Sequence, residues 1–307
     1  GSALSSGMNL TRTLAERATM IIWPAALLLA LFAGATRIAG DLAGPLAARV
    51  SVLFAAMMAP ALQHFRLGSI HHHNVQLVLP SWSIAFVLRM ARQPRNGAIA
   101  GLLCGLSVAV GQEMVPAIAA LSMVVALRWI FIGRPSGPPT IAFAASLAAG
   151  AIALAAATIP PAGYFAVHCD AISIAQVGAL AIGGFGLAIL AALPGPNSVA
   201  GRLAAALVLA IAFAGFIKFA SPECIGDPYA RLDPRLADLW LSSVAEAQGV
   251  SSLLRDMPQQ FLAYFGVPVA ALALGLVCCF REGADRRWNW IVLVAVLLRI
   301  LDVDAEA

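Results

Sequence analysis

Apolar residues run through this chain in long blocks, separated by short segments in which Pro, Gly and charged side chains gather. A hydrocarbon layer about 30 Å thick is crossed by roughly 20 such residues in a helix, where every backbone polar group is satisfied internally. Windows of this kind fall near 18–36, 44–62, 75–91, 97–113, 115–133, 140–160, 174–194, 200–219, 261–280 and 287–303. The pattern predicts an all-α fold, a polytopic transmembrane helical bundle of about ten spans forming a single transmembrane domain over residues 1–307. The longest interruption is 220–260. Within it Asp233 and Pro234 read as a helix N-cap and first position, and Leu236, Leu239, Trp240 and Val244 follow at helical spacing. This predicts a short amphipathic helix over about 234–248, ended by Gly249, with Arg235, Asp238 and Glu246 on its polar face.

Composition rules out a soluble particle. Of the residues, 61% are hydrophobic and 11% charged, with a mean hydropathy of +0.88, whereas an ordinary globular chain carries about 25% charged residues. The formal charge of +4 is carried almost wholly by arginine, mostly at span ends. No loop gathers basic and aromatic residues in the way that tracking of a nucleic acid requires, so a nucleic-acid partner is not expected. Instead the arginines give orientation. The connections holding Arg89, Arg92 and Arg95, then Arg128 and Arg134, then Arg202, then Arg281, Arg286 and Arg287 share one side, expected to be cytoplasmic. The connection 37–49, with Arg37 and Arg49 against Asp41, falls there by parity. The segment around His71, the turn at Glu113, the loop 161–173 and the loop 220–260 lie opposite, outside a bacterial inner membrane. Ten spans then place residue 1 outside as well, which implies a preceding N-terminal span and first external loop.

Five cysteines without a CxxC pair fit neither a disulfide framework nor a zinc site. Cys169 and Cys224 fall on the two external loops, where a bridge and two free thiols are both compatible with the sequence. Cys104, Cys278 and Cys279 read as packing residues.

Two places concentrate polar chemistry. From Arg66 to Gln76 the chain reads Arg-Leu-Gly-Ser-Ile-His-His-His-Asn-Val-Gln, at the boundary of the third span. Such groups are costly to bury without partners, and imidazole serves both as metal ligand and as acid or base near neutral pH. In an extended turn His71 and His73 point the same way and could share one ion. The alternative is a solvated loop touching lipid headgroups. The second place is the turn Gly111-Gln-Glu-Met-Val-Pro116, whose Glu113 is the sole carboxylate between Leu42 and Cys169. An isolated carboxylate at a membrane boundary points to a cationic or metal-bound partner, or to structural pairing with Arg66 or a histidine.

These residues resemble the GT-C superfamily of integral membrane glycosyltransferases, which use polyprenyl-phosphate-linked sugars, and in particular the catalytic subunit of oligosaccharyltransferases. An external Asp-His-His-Asn-x-Gln motif of that group is matched by His71-His72-His73-Asn74-Val75-Gln76, a Gly-x-Glu-x-x-Pro turn by Gly111 to Pro116, and a looser run by Cys224 to Arg235, including Tyr229. The resemblance implies a metal at His71 and His73 and catalytic roles for Glu113, His72 and Asn74. It also implies contacts to the donor phosphate from Arg66, Gln76, Tyr229, Arg231 and Arg235. The cofactor implied is a divalent ion, Mg or Mn, or a softer ion because His71 stands where the family has Asp. The partners implied are membrane lipid, a polyprenyl-phosphate sugar donor and a glycan, lipid or protein acceptor. Two other classes fit the same residues: a transporter or metal-permeation protein that loads ions at the histidines, and a non-catalytic membrane scaffold.

Overall fold

The computed structural model describes residues 2–57, 62–169, 171–194, 198–225, 258–281 and 283–303, with Arg235, Leu239, Leu254 and Arg255 in between. The described residues form ten α-helices joined by turns and short 3-10 segments, without a strand. In order these are α1 (Ser2–Ala43), α2 (Pro45–Met57), α3 (His72–Arg89), α4 (Pro94–Val110), α5 (Val115–Ile132), α6 (Gly137–Thr158), α7 (Ile174–Ala192), α8 (Val199–Ala220), α9 (Pro258–Arg281) and α10 (Ala284–Val303). Five stretches are long and apolar enough to cross a membrane: Arg12–Ala43, Val115–Ile132, Arg134–Thr158, Ile174–Ala192 and Val199–Ala220. Large apolar side chains on α8, among them Leu207, Val208 and Ile211, are exposed as only a lipid-facing surface tolerates. The protein is an all-helical integral membrane protein.

Two compact units divide the chain between Trp82 and Ser83, inside α3. In the first, α1 runs further than the apolar window 18–36 predicts, through Pro24, Arg37 and Asp41 to Ala43. At 1.5 Å per residue its 42 residues span about 60 Å, twice a hydrocarbon core, so hydropathy marks only the part that lipid surrounds. Gly44, at φ 87°, breaks the helix before Pro45 opens α2. The start of α3 is fastened to α1 at two points. Trp82 Nε1 donates to the Ala30 carbonyl at 2.9 Å, and a Cβ on Gly34 would stand 2.8 Å from the Ser81 hydroxyl.

In the second unit the helices pack through small residues, as expected where lipid removes the hydrophobic drive between helices and only close contact remains. Gly97, Gly101 and Gly105 line one face of α4. A Cβ at Gly97 would meet the Pro139 carbonyl, one at Gly101 the Phe143 carbonyl and the Ser146 hydroxyl, and one at Gly105 the Leu147 carbonyl. Both series advance in the same direction, so α4 and α6 are parallel and nearly in backbone contact. Ser146 Oγ donates across the pair to the Ala98 carbonyl at 2.8 Å. On its other side α6 receives α7, with Gly184 against the Ala144 carbonyl. Phe216, Phe213 and Leu209 of α8 sit over Gly178, Gly183 and Gly186 of α7.

Proline and glycine punctuate this unit. Pro94, Pro116 and Pro138 lie in the first turns of α4, α5 and α6, where a missing N–H costs little. Gly133, at φ 80°, ends α5. The carbonyls exposed there are met by Arg202, nearly buried at the start of α8, whose Nε donates to the Ile130 carbonyl at 2.8 Å while its guanidinium lies over Gly133. A cation at a helix C-terminus interacts favourably with the aligned peptide dipoles. Arg202→Gln is expected to cost about 2 kcal/mol, the range for a hydrogen bond to a charged group, read as a lower melting temperature in detergent. An unchanged melting temperature would remove this role.

The expected helix over 234–248 lies largely outside the described residues; Arg235 and Leu239 within it are helical and exposed.

Candidate functional site

The polar cluster Arg66–Gln76 is built on a turn. After the 3-10 segment Gln63–Phe65 the chain reverses through Arg66 and Leu67 to Gly68, at φ 88°, whose N–H bonds the Met20 carbonyl of α1 at 2.9 Å. Ser69 N–H returns to the Arg66 carbonyl at 2.9 Å. The α3 helix then starts at His72, so His71 stands just before it and His73 is already in its first turn. The extended geometry expected to align His71 with His73 is therefore absent.

Helical winding sorts the motif by depth. Asn74 and Gln76 are buried, His73 is half-buried, and His71 and His72 are exposed. Asn74 Nδ2 donates to the Ser69 carbonyl at 3.1 Å and its backbone N–H to the His71 carbonyl at 3.3 Å, so this side chain holds the turn to the helix. Its Oδ1 is buried with no hydrogen-bond partner among the described residues. An amide oxygen left so costs about 1–3 kcal/mol and remains free to accept from a donor or to face a cation. His73 Nδ1 lies 3.1 Å from Gln76 Oε1. With the amide oxygen as acceptor, Nδ1 carries the proton and Nε2 keeps its lone pair, the form that ligates a metal or takes a proton. Gln76, expected to contact phosphate, is thus turned inward toward His73.

The rings of His72 and His73 are 4.1 Å apart between centroids, and His64 stands 5.0 Å from His73. His64 lies outside the motif and its neighbourhood to His73 escaped the sequence reading. The turn at Gly68 brings it back, and the only signal was a lone histidine a few residues upstream of that glycine. The donor set is nitrogen-rich, which fits a borderline-soft divalent ion better than magnesium. Arg66 is exposed on the turn itself.

Glu113 belongs to the second unit. It is exposed on the turn between α4 and α5, where Gly111 N–H closes α4 on the Ser107 carbonyl at 3.1 Å and Gln112 Nε2 donates to the Val108 carbonyl at 3.0 Å. Val115 N–H then bonds the Gln112 carbonyl at 2.9 Å, so a single tight turn carries the carboxylate. In the same unit Cys169 and Cys224 are joined in a disulfide, with Cα atoms 5.2 Å apart. The loop before Cys169 is anchored from α7, where Ser173 Oγ and Gln176 Nε2 donate to the His168 carbonyl at 2.9 and 3.0 Å, and Gln176 Oε1 accepts from the Ser173 N–H at 3.0 Å. Arg235 is exposed, while Tyr229 and Arg231 lie outside the described residues.

No protein-family description matches the chain, and no curated protein is similar to it in sequence. Among solved structures it is similar to the crystal structure of the Archaeoglobus fulgidus oligosaccharyltransferase in complex with Zn and sulfate, at 16% identity and a TM-score of 0.49. The match covers 93% of this chain and 37% of the archaeal one.

Proposed function

We propose that this protein transfers a glycosyl group from a polyprenyl-phosphate-linked sugar to an acceptor at the outer face of a bacterial inner membrane. The observation that carries this reading is the His72–Gln76 turn. Its motif residues open α3 as one bonded unit, with His73 oriented by Gln76 and the amide oxygen of Asn74 without a partner among the described residues. The start of a helix favours negative charge, so a lipid phosphate brought there meets the first turn of α3 and the imidazoles together.

The roles follow from the chemistry. His73, through Nε2, with His72 and His64 beside it, would hold a divalent ion; such an ion, when bound, would stabilise charge on the departing phosphate. Asn74 fixes the turn and offers an acceptor to a sugar hydroxyl. Arg66 and Arg235, with Tyr229 and Arg231, supply cationic and polar contacts to phosphate, Arg being suited by its planar fork. Glu113 supplies the carboxylate that the acceptor needs as a base.

The test is transfer of radiolabelled sugar from a polyprenyl-phosphate donor by the full-length protein in membranes. Labelled product is expected from the wild type, and Glu113→Gln is expected to lower turnover by about 100-fold, the scale for loss of a general base. No product from any polyprenyl-phosphate sugar, or wild-type turnover in the variant, would overturn the reading or the role of Glu113 respectively.

A further inference from the structure

The geometry points to a binding site for an anionic phospholipid headgroup at the end of the second unit where α4 and α6 begin. The parallel packing of these helices, with Gly97 against the Pro139 carbonyl, sets their first turns side by side. Two positive helix ends thus share one edge, and neither N-cap residue, Gln93 or Ser136, makes a side-chain cap bond. Pro94, Pro138 and Pro139 withhold N–H groups from this edge, and the end of α7 reaches it as well, with the Ala191 carbonyl near Gly137. The attraction must therefore come mainly from side chains.

Those side chains are cationic. Arg92 and Arg134 are exposed on the connections leading into α4 and α6, Arg95 is exposed in the first turn of α4 with its Nε donating to Gln93 Oε1 at 2.8 Å, and Arg202 is packed against Gly133 just before Arg134. Arg92 and Arg134 form no ion pair among the described residues. From Leu42 to Glu223 the sequence holds two acids besides that end residue: Glu113, at the far end of α4, and Asp170. The start of α10 comes to the same end, Trp288 lying 6.4 Å from Phe131.

A second observation lies in the first turn of α6. The hydroxyls of Ser136 and Thr140 are buried and have no hydrogen-bond partner among the described residues. They stand four residues apart, hence on one helical face, and Ser136 follows Arg134 by two residues. Two hydroxyls without a partner among the described residues, close in sequence to the exposed Arg134, suit a phosphate diester, which accepts from hydroxyl and guanidinium alike. The flank selects a lipid over a free anion: Ile99 and Leu102 of α4 and Phe131 and Ile132 of α5 are exposed, and acyl chains would lie against them.

The test uses the full-length protein in nanodiscs of phosphatidylcholine with or without phosphatidylglycerol, followed by native mass spectrometry of retained lipid. The wild type is expected to retain phosphatidylglycerol over phosphatidylcholine by about tenfold, a modest yield for several arginines at a lipid surface. Arg134→Gln and Ser136→Ala are each expected to bring that preference close to parity, while Arg17→Gln, which removes the same charge elsewhere on an exposed surface, is expected to leave it. A preference unchanged in Arg134→Gln, or lowered equally by Arg17→Gln, would overturn the site. Displacement of the retained lipid by inorganic phosphate would overturn the assignment to a lipid.

Discussion

Gly101→Leu is expected to leave little folded protein. A Cβ at this position already collides with the Phe143 carbonyl and the Ser146 hydroxyl, so a leucine must force α4 and α6 apart along their whole contact. Overpacking a well-filled interior costs about 1–3 kcal/mol when side chains can move aside. Here the obstacle is main chain, and the Ser146 to Ala98 bond and the Gly97 and Gly105 contacts are lost with it, so a cost above about 3 kcal/mol is expected. Gly215 of α8 has nothing within 4 Å of a built Cβ, and Gly215→Leu is the control, expected to be tolerated. Fluorescence-detected size exclusion after a temperature series reads both. A monodisperse Gly101→Leu protein with the wild-type melting temperature would show that the close approach of α4 and α6 does not hold the unit together.

That contact illustrates what the sequence conveys and what it does not. The spans near 97–113 and 140–160 are plain from hydropathy, and the helices found, Pro94–Val110 and Gly137–Thr158, differ by a few residues because proline sets each start. The spacing of Gly97, Gly101 and Gly105 is likewise visible in the sequence. What it cannot convey is the identity of the partner, because a small-residue stripe fits any helix able to come close. The α1 helix runs past its apolar window for a different reason: Arg37 and Asp41 end the apolar run after residue 36 while the helix continues to Ala43. The cysteine pair shows a third case. Two thiols on facing loops were compatible with a bridge or with none, and only the placement of Cys169 beside the segment Pro222–Cys224 joins them.

The polar cluster was legible as residues and not as an arrangement. Three consecutive histidines mark a candidate whichever way the chain turns, but which of them pair depends on where α3 begins. Starting at His72 winds the motif, so His73 and Gln76, three apart, face each other, and His64 arrives from before Gly68. A reading that treats the segment as extended pairs His71 with His73; the helical phase, set by one residue, pairs His73 with Gln76 instead.

His73→Ala is expected to reduce sugar transfer by about 100- to 10,000-fold, the range for removing a positioned acid–base group or metal ligand. On the proposed reading the loss should fall on kcat more than on KM, since His73 would act at the reacting end of the donor, away from the lipid tail. Gln76 separates a chemical role from a structural one. Its Oε1 is the acceptor that presents Nε2 of His73, so Gln76→Leu should cost about 10- to 100-fold, the scale for an outer partner of a ligating histidine, while Gln76→Glu, which keeps an acceptor there, should recover most of it. Donor binding measured on the same proteins distinguishes this from the phosphate contact that the motif alone suggests: a phosphate ligand would raise the donor Kd in Gln76→Leu and more so in Gln76→Glu, whose charge repels the phosphate. Wild-type turnover in His73→Ala would remove the imidazole from the reaction altogether. Weakened donor binding in Gln76→Glu with unchanged kcat would return Gln76 to the substrate and leave His73 without its orienting partner.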